Sequence, residues 1–307
     1  MSLPHSIFRA LGLVSISFSI HSLALGNTPM AAIQLVWPDN GKSPAICVGK
    51  PDWFVGVVPE SVDLVDLEVS GTASIEFAGE TAAATLLHLD TKSRLCLFES
   101  NGISGSLSPV PLAGKEKVIL GAKLHCPTGG GNCASTITGK EWSYRGVNFH
   151  SPLLHLRLAD ANKHCEAGTP LINSNGELEG IVTTYKTTSK NEVFAIPASH
   201  ICKMIKEFKQ HRKSGPVWIG LLFHAESSSP EVMKVKADSP SSAAGIEPGD
   251  VVLGVNNQEV DNLNDLVEII QSLPAEEEAT FRLLRDVTEK SVSLTPQFAT
   301  ASPPENE

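Results

Sequence analysis

The chain has 307 residues, with 24 Lys and Arg against 34 Asp and Glu and a formal net charge of −10. Its only basic run is the short stretch Lys203 to Lys213, so the clustered cationic face that binding to nucleic acid requires is missing and no nucleic-acid partner is expected. No segment approaches the ~20 apolar residues of a membrane span, and the cysteines lack the two close pairs of a zinc site, so no metal and no cofactor is expected.

Residues 1–26 carry Arg9 as their only Lys or Arg, then an apolar run from Ala10 to Ile20, then Ala24-Leu25-Gly26, whose small residues suit a signal peptidase. The expectation is a cleaved secretory signal, a secreted or periplasmic location and no membrane span after cleavage; a short membrane anchor is the competing reading. Roughly 280 residues then remain, which suits two domains better than one core. Export permits disulfides among Cys47, Cys96, Cys126, Cys133, Cys165 and Cys202. Cys126 and Cys133 flank Pro-Thr-Gly-Gly-Gly-Asn, a loop whose closure would stabilise by ~2–3 kcal/mol, and they are the expected bridge. Pairing of the other four stays open.

From Ile33 to about Tyr185, short apolar runs such as Trp53-Phe-Val-Gly-Val-Val, Leu95-Cys-Leu-Phe and Leu153-Leu-His-Leu alternate with Gly, Pro, Asn and Ser. That spacing reads as an all-β barrel or sandwich. An amphipathic helix follows, with Ile201, Met204, Ile205 and Phe208 on one face, Ser199 as its expected N-cap and its lysines on a solvated face. Ser214-Gly-Pro marks a boundary. Beyond it the pattern predicts strands at Val217 to Phe223, Glu231 to Val235, Val251 to Val255, Ala279 to Leu284 and Ser291 to Leu294. A helix is expected at Leu263 to Gln271, with Leu263, Leu266, Val267 and Ile270 on its apolar face. The Pro-, Ala- and Glu-rich end, Thr295 to Glu307, should be disordered. The expected organisation is a signal at 1–26, domains at 27–212 and 214–296, and a disordered tail at 297–307.

The run Ala244-Gly-Ile-Glu-Pro-Gly-Asp-Val-Val-Leu-Gly-Val-Asn-Asn-Gln-Glu-Val closely resembles the core of a PDZ domain, in which Gly245 and Gly249 allow tight turns and Val251 to Val255 is a buried strand. The resemblance implies that the domain takes an extended peptide by strand addition. The peptide's terminal carboxylate would be cradled on the N–H groups of an apolar-Gly-apolar loop, here Trp218-Ile219-Gly220-Leu221. It also implies that Leu266 and Ile270 line the pocket for the last side chain, although an apolar helix face is more often core.

In the first domain, Phe194-Ala-Ile-Pro resembles the end of the protease domain of HtrA/Deg serine proteases, and Pro170-Leu171 aligns with the end of their Gly-Asn-Ser-Gly-Gly-Pro-Leu motif. The resemblance implies a mostly β fold, with a chymotrypsin-like (trypsin-like) double β-barrel followed by the PDZ domain. It also places Ala167 where the nucleophile should be and Cys165 at the Gly that shapes the oxyanion hole. Matching Trp53 to Asp63 and Thr91 to Glu99 with the family's other motifs puts Gly56 at the His and Arg94 at the Asp. A serine protease needs the hydroxyl, the base and the orienting carboxylate, so a degenerate triad and no catalytic residue are expected.

Cys165 beside His164 invites a cysteine-hydrolase reading, but sequence neighbours on a strand or turn point apart. His88, His150 and His155 have no acidic partner at an interpretable spacing. The leading expectation is a pseudoprotease that binds C-terminal or unfolded peptides of other exported proteins. The alternatives are an active HtrA-like serine endopeptidase in envelope quality control and a holdase chaperone. HtrA relatives are commonly trimers joined by aromatic residues near the start of the protease domain, for which Trp37 is the candidate. Assembly as a homotrimer or as a hetero-oligomer with an active paralogue is implied equally.

Overall fold

The computed structural model describes residues 33–103, 107–113, 119–128, 131–144, 147–160, 165–187, 189–224 and 228–299. The expected signal at 1–26 lies outside them. The first domain is two closed six-stranded barrels. The first barrel is built from β1 (Gln34–Val36), β2 (Lys42–Cys47), β3 (Trp53–Val57), a short helix α1 (Leu64–Ser70), β4 (Thr72–Phe77), β5 (Glu80–Asp90) and β6 (Leu95–Glu99), with its strands in the order β1-β2-β3-β6-β5-β4. The second follows as β7 (Lys123–Thr128), β8 (Gly131–Tyr144), β9 (Val147–Leu158), β10 (Pro170–Ile172), β11 (Leu178–Lys186) and β12 (Glu192–Pro197), closing in the order β10-β11-β12-β9-β8-β7.

Two strands explain why these barrels pack as a pair. Side chains alternate faces along a strand, and β3 and β6 are apolar on both. Phe54, Cys96 and Phe98 fill the first barrel with Leu35 and Trp37. Trp53, Val55, Val57, Leu95 and Leu97 turn the other way, onto Leu178, Ile181 and Ile196 of the second barrel. A continuous apolar run therefore marks a strand sandwiched between two cores. Trp37 is only 2 % exposed, donates to Ser43 Oγ at 3.0 Å and packs edge-on against Phe98. It is a barrel-core residue, which corrects the expectation that it offers an assembly surface.

β12 runs directly into α2 (Ala198–His211), whose apolar face (Ile201, Met204, Ile205, Phe208) lies on the inter-barrel core. The N-cap is Pro197 and no side chain caps the helix, so Ser199 lies inside the first turn instead of at the cap. The expected solvated lysine face is interrupted too. Lys203 is 8 % exposed and Glu207 is fully buried.

The second domain comprises β13 (Val217–Trp218), β14 (Leu221–Phe223), β15 (Val232–Val235), α3 (Pro240–Ala243), β16 (Val251–Val255), β17 (Gln258–Glu259), α4 (Leu263–Ser272), β18 (Ala279–Arg285), β19 (Thr288–Leu294) and β20 (Gln297–Phe298). Its sheets are β17-β16-β18-β19, β14-β15 and β13-β20. The strand expected over Val217 to Phe223 is broken at Gly220, whose φ of 83° no strand accommodates. The expectation of disorder from Thr295 onward is also corrected, because Gln297 and Phe298 pair with Trp218 and Val217. The Gly-Asp turn before β16 is held by Asp250, which is 1 % exposed, accepts from Glu247 N at 2.9 Å and takes both ends of Arg285 at 2.7 and 2.8 Å.

Lys203 and Glu207, one helical turn apart and 3.8 Å from each other, join the domains. Lys203 Nζ donates to the carbonyls of Gly215 and Gln271, at 3.0 and 2.9 Å. Glu207 accepts from Ser214 Oγ, Gly215 N and Ala275 N at 2.7, 3.2 and 2.9 Å. Half-exposed ion pairs rim this joint, Lys140 with Glu268 on α4 and Lys206 with Glu277, both at 2.6 Å. Replacing Glu207 with Ala leaves three donors and the Lys203 charge buried and short of a partner. Chemical denaturation should then show a loss of about 3–5 kcal/mol, with faster proteolysis in the 212–216 linker.

Candidate functional site

The crevice between the barrels is where a hydrolytic centre of this fold would be assembled. Ala167 lies on the turn into β10, and its methyl group packs against the inter-barrel core. The turn is closed by bonds from Thr169 N to Glu166 O at 3.0 Å and from Gly168 N to Val182 O at 2.8 Å. Gly168 has φ 92°, and a Cβ there would overlap the Pro44 carbonyl oxygen on β2, so the turn is wedged against the first barrel by backbone alone. Cys165, two residues before Ala167, is half-buried and packs against the interior of the second barrel.

Arg94 precedes β6, whose Leu95 and Leu97 lie in the same inter-barrel core. Its guanidinium donates to three carbonyls of the turn after β3, Val58 and Pro59 at 2.8 and 2.5 Å and Val62 at 2.6 Å. A triad carboxylate would accept a hydrogen bond from an imidazole; here a cation donates to backbone oxygens. Gly56 is not brought to this point. It faces the first barrel's interior, where an added Cβ would sit 2.5 Å from Leu35 Cδ1. The residue beside Arg94 is Pro59, and no His occurs between Trp53 and Val62.

Among the described histidines, His155 and His200 meet carboxylates. His155 stands 3.3 Å from Glu192 and 3.9 Å from Glu141, acidic partners that no sequence spacing indicated. His200 on α2 lies 3.4 Å from Asp90 at the end of β5, a second pair brought together only by tertiary packing. Burial acts to raise the Asp90 carboxyl, but His200, the Ser93 hydroxyl and Lys92 N–H together hold it well below the usual range. Ser93 donates to Asp90, not to the imidazole, so this group lacks the nucleophile-to-base contact of a triad. Burial lowers His88 from its ordinary value, favouring the neutral ring. His150 and His164 fall where side chains are outside the described residues.

The expected bridge between Cys126 and Cys133 is not present. The two are cross-strand partners between β7 and β8, but Cys126 carries a free thiol that contacts Ser135 Oγ at 3.4 Å. Its other thiol contact is with Cys165, reached across the barrel interior and not along the hairpin.

In the second domain the loop at Gly220 has the chemistry to hold an anion. The Ile219 carbonyl accepts from Ser241 N at 3.1 Å and the Gly220 carbonyl from Lys236 N at 2.8 Å. In a trans peptide the following N–H points the opposite way, so the Gly220 and Leu221 N–H groups aim away from α3 and β15. A Cβ on Gly220 would overlap Ser239, which is why this turn takes no side chain. β14 pairs only with β15, leaving its other edge without a strand partner among the described residues. Trp218 flanks the loop at 37 % exposed, Ile219 is 5 % exposed and Leu221 is half-buried. Leu266 and Ile270 on α4 are 0 % and 5 % exposed, within the domain core beside Ile219 and Phe281.

Residues 217–295 match the PDZ domain family. The chain is 29% identical over 144 residues to the probable periplasmic serine endoprotease DegP-like of Marinomonas sp. (strain MWYL1), covering 42% of this chain and 31% of that protein. It is 31% identical over 127 residues to the serine endoprotease DegS of Haemophilus influenzae (strain ATCC 51907 / DSM 11121 / KW20 / Rd), covering 39% of this chain and 37% of the relative. It thus spans about a third of the length of these curated relatives. The solved HtrA-type protease AlgW with a tripeptide superposes with a TM-score of 0.60 at 16% identity, over 90% of this chain and 96% of that one, a likeness of fold.

Gly220→Ala would place a methyl group against Ser239 at a positive φ. Urea unfolding should report a loss of about 2 kcal/mol or more, confined to the C-terminal domain.

Proposed function

We propose, for a chain that belongs to the HtrA-type proteins carrying a PDZ domain, the role of an exported peptide-binding protein without protease chemistry. The PDZ domain is read as the working site. It would take the C-terminal or extended segment of another exported protein as an added strand on β14, with the terminal carboxylate on the Gly220 and Leu221 N–H groups and Leu266 and Ile270 behind the last side chain. The observation that carries this reading is the pair of N–H groups turned outward by the inward bonds of the Ile219 and Gly220 carbonyls, beside an unpaired strand edge.

The barrels are read as a scaffold. Ala167 supplies no hydroxyl, Arg94 supplies no carboxylate, and neither Gly56 nor Pro59 supplies an imidazole. The periplasmic location named for the DegP-like relatives and the expected signal at 1–26 support an envelope setting, in which the chain would act on partner proteins or regulate an active paralogue. Among the described residues no helix is long and apolar enough to cross a membrane.

Two assays test this with the purified full chain. An unfolded, casein-like substrate should remain intact with the parent, with Cys165→Ala and with Ala167→Ser; cleavage by the parent would return the chain to the active endopeptidases. A peptide ending in a free carboxylate should bind, and amidation of that terminus should weaken binding ~10- to 100-fold, as expected for charge-assisted hydrogen bonds worth about 1.5–3 kcal/mol. Equal binding of both peptides would favour a holdase.

A further inference from the structure

We propose that Cys126 and Cys165 are an oxidisable dithiol, which closes an intramolecular disulfide between β7 and the turn that carries Ala167. Cys126 is fully buried on β7, in the interior cluster formed with Leu124, Ile137, Leu171 and Val182. Cys165 packs against that same cluster from the turn, and the two thiols are hydrogen-bonded. Neither is held in a disulfide. Their approach is fixed by backbone: β7 and β10 are neighbours, with His125 opposite Ile172, so the turn entering β10 stands over the end of β7.

The pair is asymmetric in the way that thiol–disulfide exchange requires. Cys165 is half-buried and open to a reagent, whereas Cys126 is fully buried. The Cys165 contact lowers the Cys126 thiol, and burial, which opposes it, does not cancel the gain; the Ser135 hydroxyl adds to the lowering. Burial pushes the Cys47 and Cys96 thiols up to about 12, with Asp52 adding to the rise at Cys47. Thiolate is the reactive form, and the lowering at Cys126 suits it to the second, bridge-closing attack.

The oxidant is a small-molecule or protein disulfide. Cys165 loses its proton and attacks one sulfur of that disulfide, forming a mixed disulfide and expelling one thiolate. Cys126, deprotonated in turn, attacks Cys165 Sγ; the Cys126–Cys165 bond forms and the second thiolate leaves. Two electrons pass from the cysteine pair to the external disulfide, and the two protons go to the departing thiolates. The product ties the turn at Cys165, Ala167 and Gly168 to the barrel wall.

The test is to incubate the folded full chain with oxidised glutathione, alkylate with N-ethylmaleimide and digest with trypsin. The expected product is a disulfide between peptides 124–140 and 164–186, with loss of two alkylatable thiols per chain, and Cys133→Ser should give the same product in the same yield. Fragmentation of the parent's linked peptide should place the bridge at Cys126 whether or not the variant folds. Cys165 recovered alkylated, carrying glutathione or joined to any other cysteine would overturn the proposal, as would fragments that place the bridge at Cys133.

Discussion

A carboxylate with no access to water fixes how the two halves of this protein meet. Glu207 on α2 is fully buried, and a buried charge without partners costs several kcal/mol. Its three donors come from Ser214 and Gly215 of the linker and Ala275 of the second domain, so the carboxylate is satisfied only when the second domain is docked. Lys203 repeats the logic with opposite sign, burial lowering its ammonium against the pull of Glu207 and Asp90. Exposed pairs at the rim contribute ~0–1 kcal/mol each. The orientation of the PDZ domain therefore rests on two buried groups of one helix, and through α2 it is tied to the inter-barrel core on which that helix lies.

The same core is held together at the crevice between the barrels. Arg94 adopts φ 59°, a conformation that costs a side-chain-bearing residue ~1–2 kcal/mol. Its three hydrogen bonds to the carbonyls of Val58, Pro59 and Val62 offset that cost, since charge-assisted bonds contribute more than neutral ones. The guanidinium then pins the turn where a base would have to stand. Ala167 adds a methyl group to the core from the opposite side. One of these residues packs and the other ties down backbone.

What could be read in advance follows the range of the interactions. Short continuous apolar runs exposed the doubly apolar strands β3 and β6, and the Gly245 to Asp250 run exposed the PDZ turn, because both signals are local. Pro170-Leu171 set the register of Ala167. Gly56 was placed from a weaker alignment, and only the side chain of Arg94, reaching 36 residues back to Val58, reveals that Pro59 is its neighbour. Lys203 looked like part of a solvated face because helical spacing carries no trace of a second domain packing there. The pairs of His200 with Asp90 and His155 with Glu192 were invisible for the same reason. The Cys126 to Cys133 loop was the closest pair in sequence, yet proximity along a hairpin competes with proximity across a barrel, and the latter needs the fold.

Cys165 joins these threads. In an oxyanion-forming turn the residue two before the nucleophile gains from having no side chain, because the donor geometry calls for backbone that other residues adopt at a cost. A cysteine there gives up that freedom, and its thiol is directed to Cys126 inside the second barrel. The turn is thus secured by a side chain packed inward, by the Gly168 backbone wedged on Pro44 and by the Thr169-to-Glu166 bond. A turn held from three sides is fixed in this geometry, so a hydroxyl placed at Ala167 would be served only if the N–H groups of the turn already point to where an oxyanion would develop.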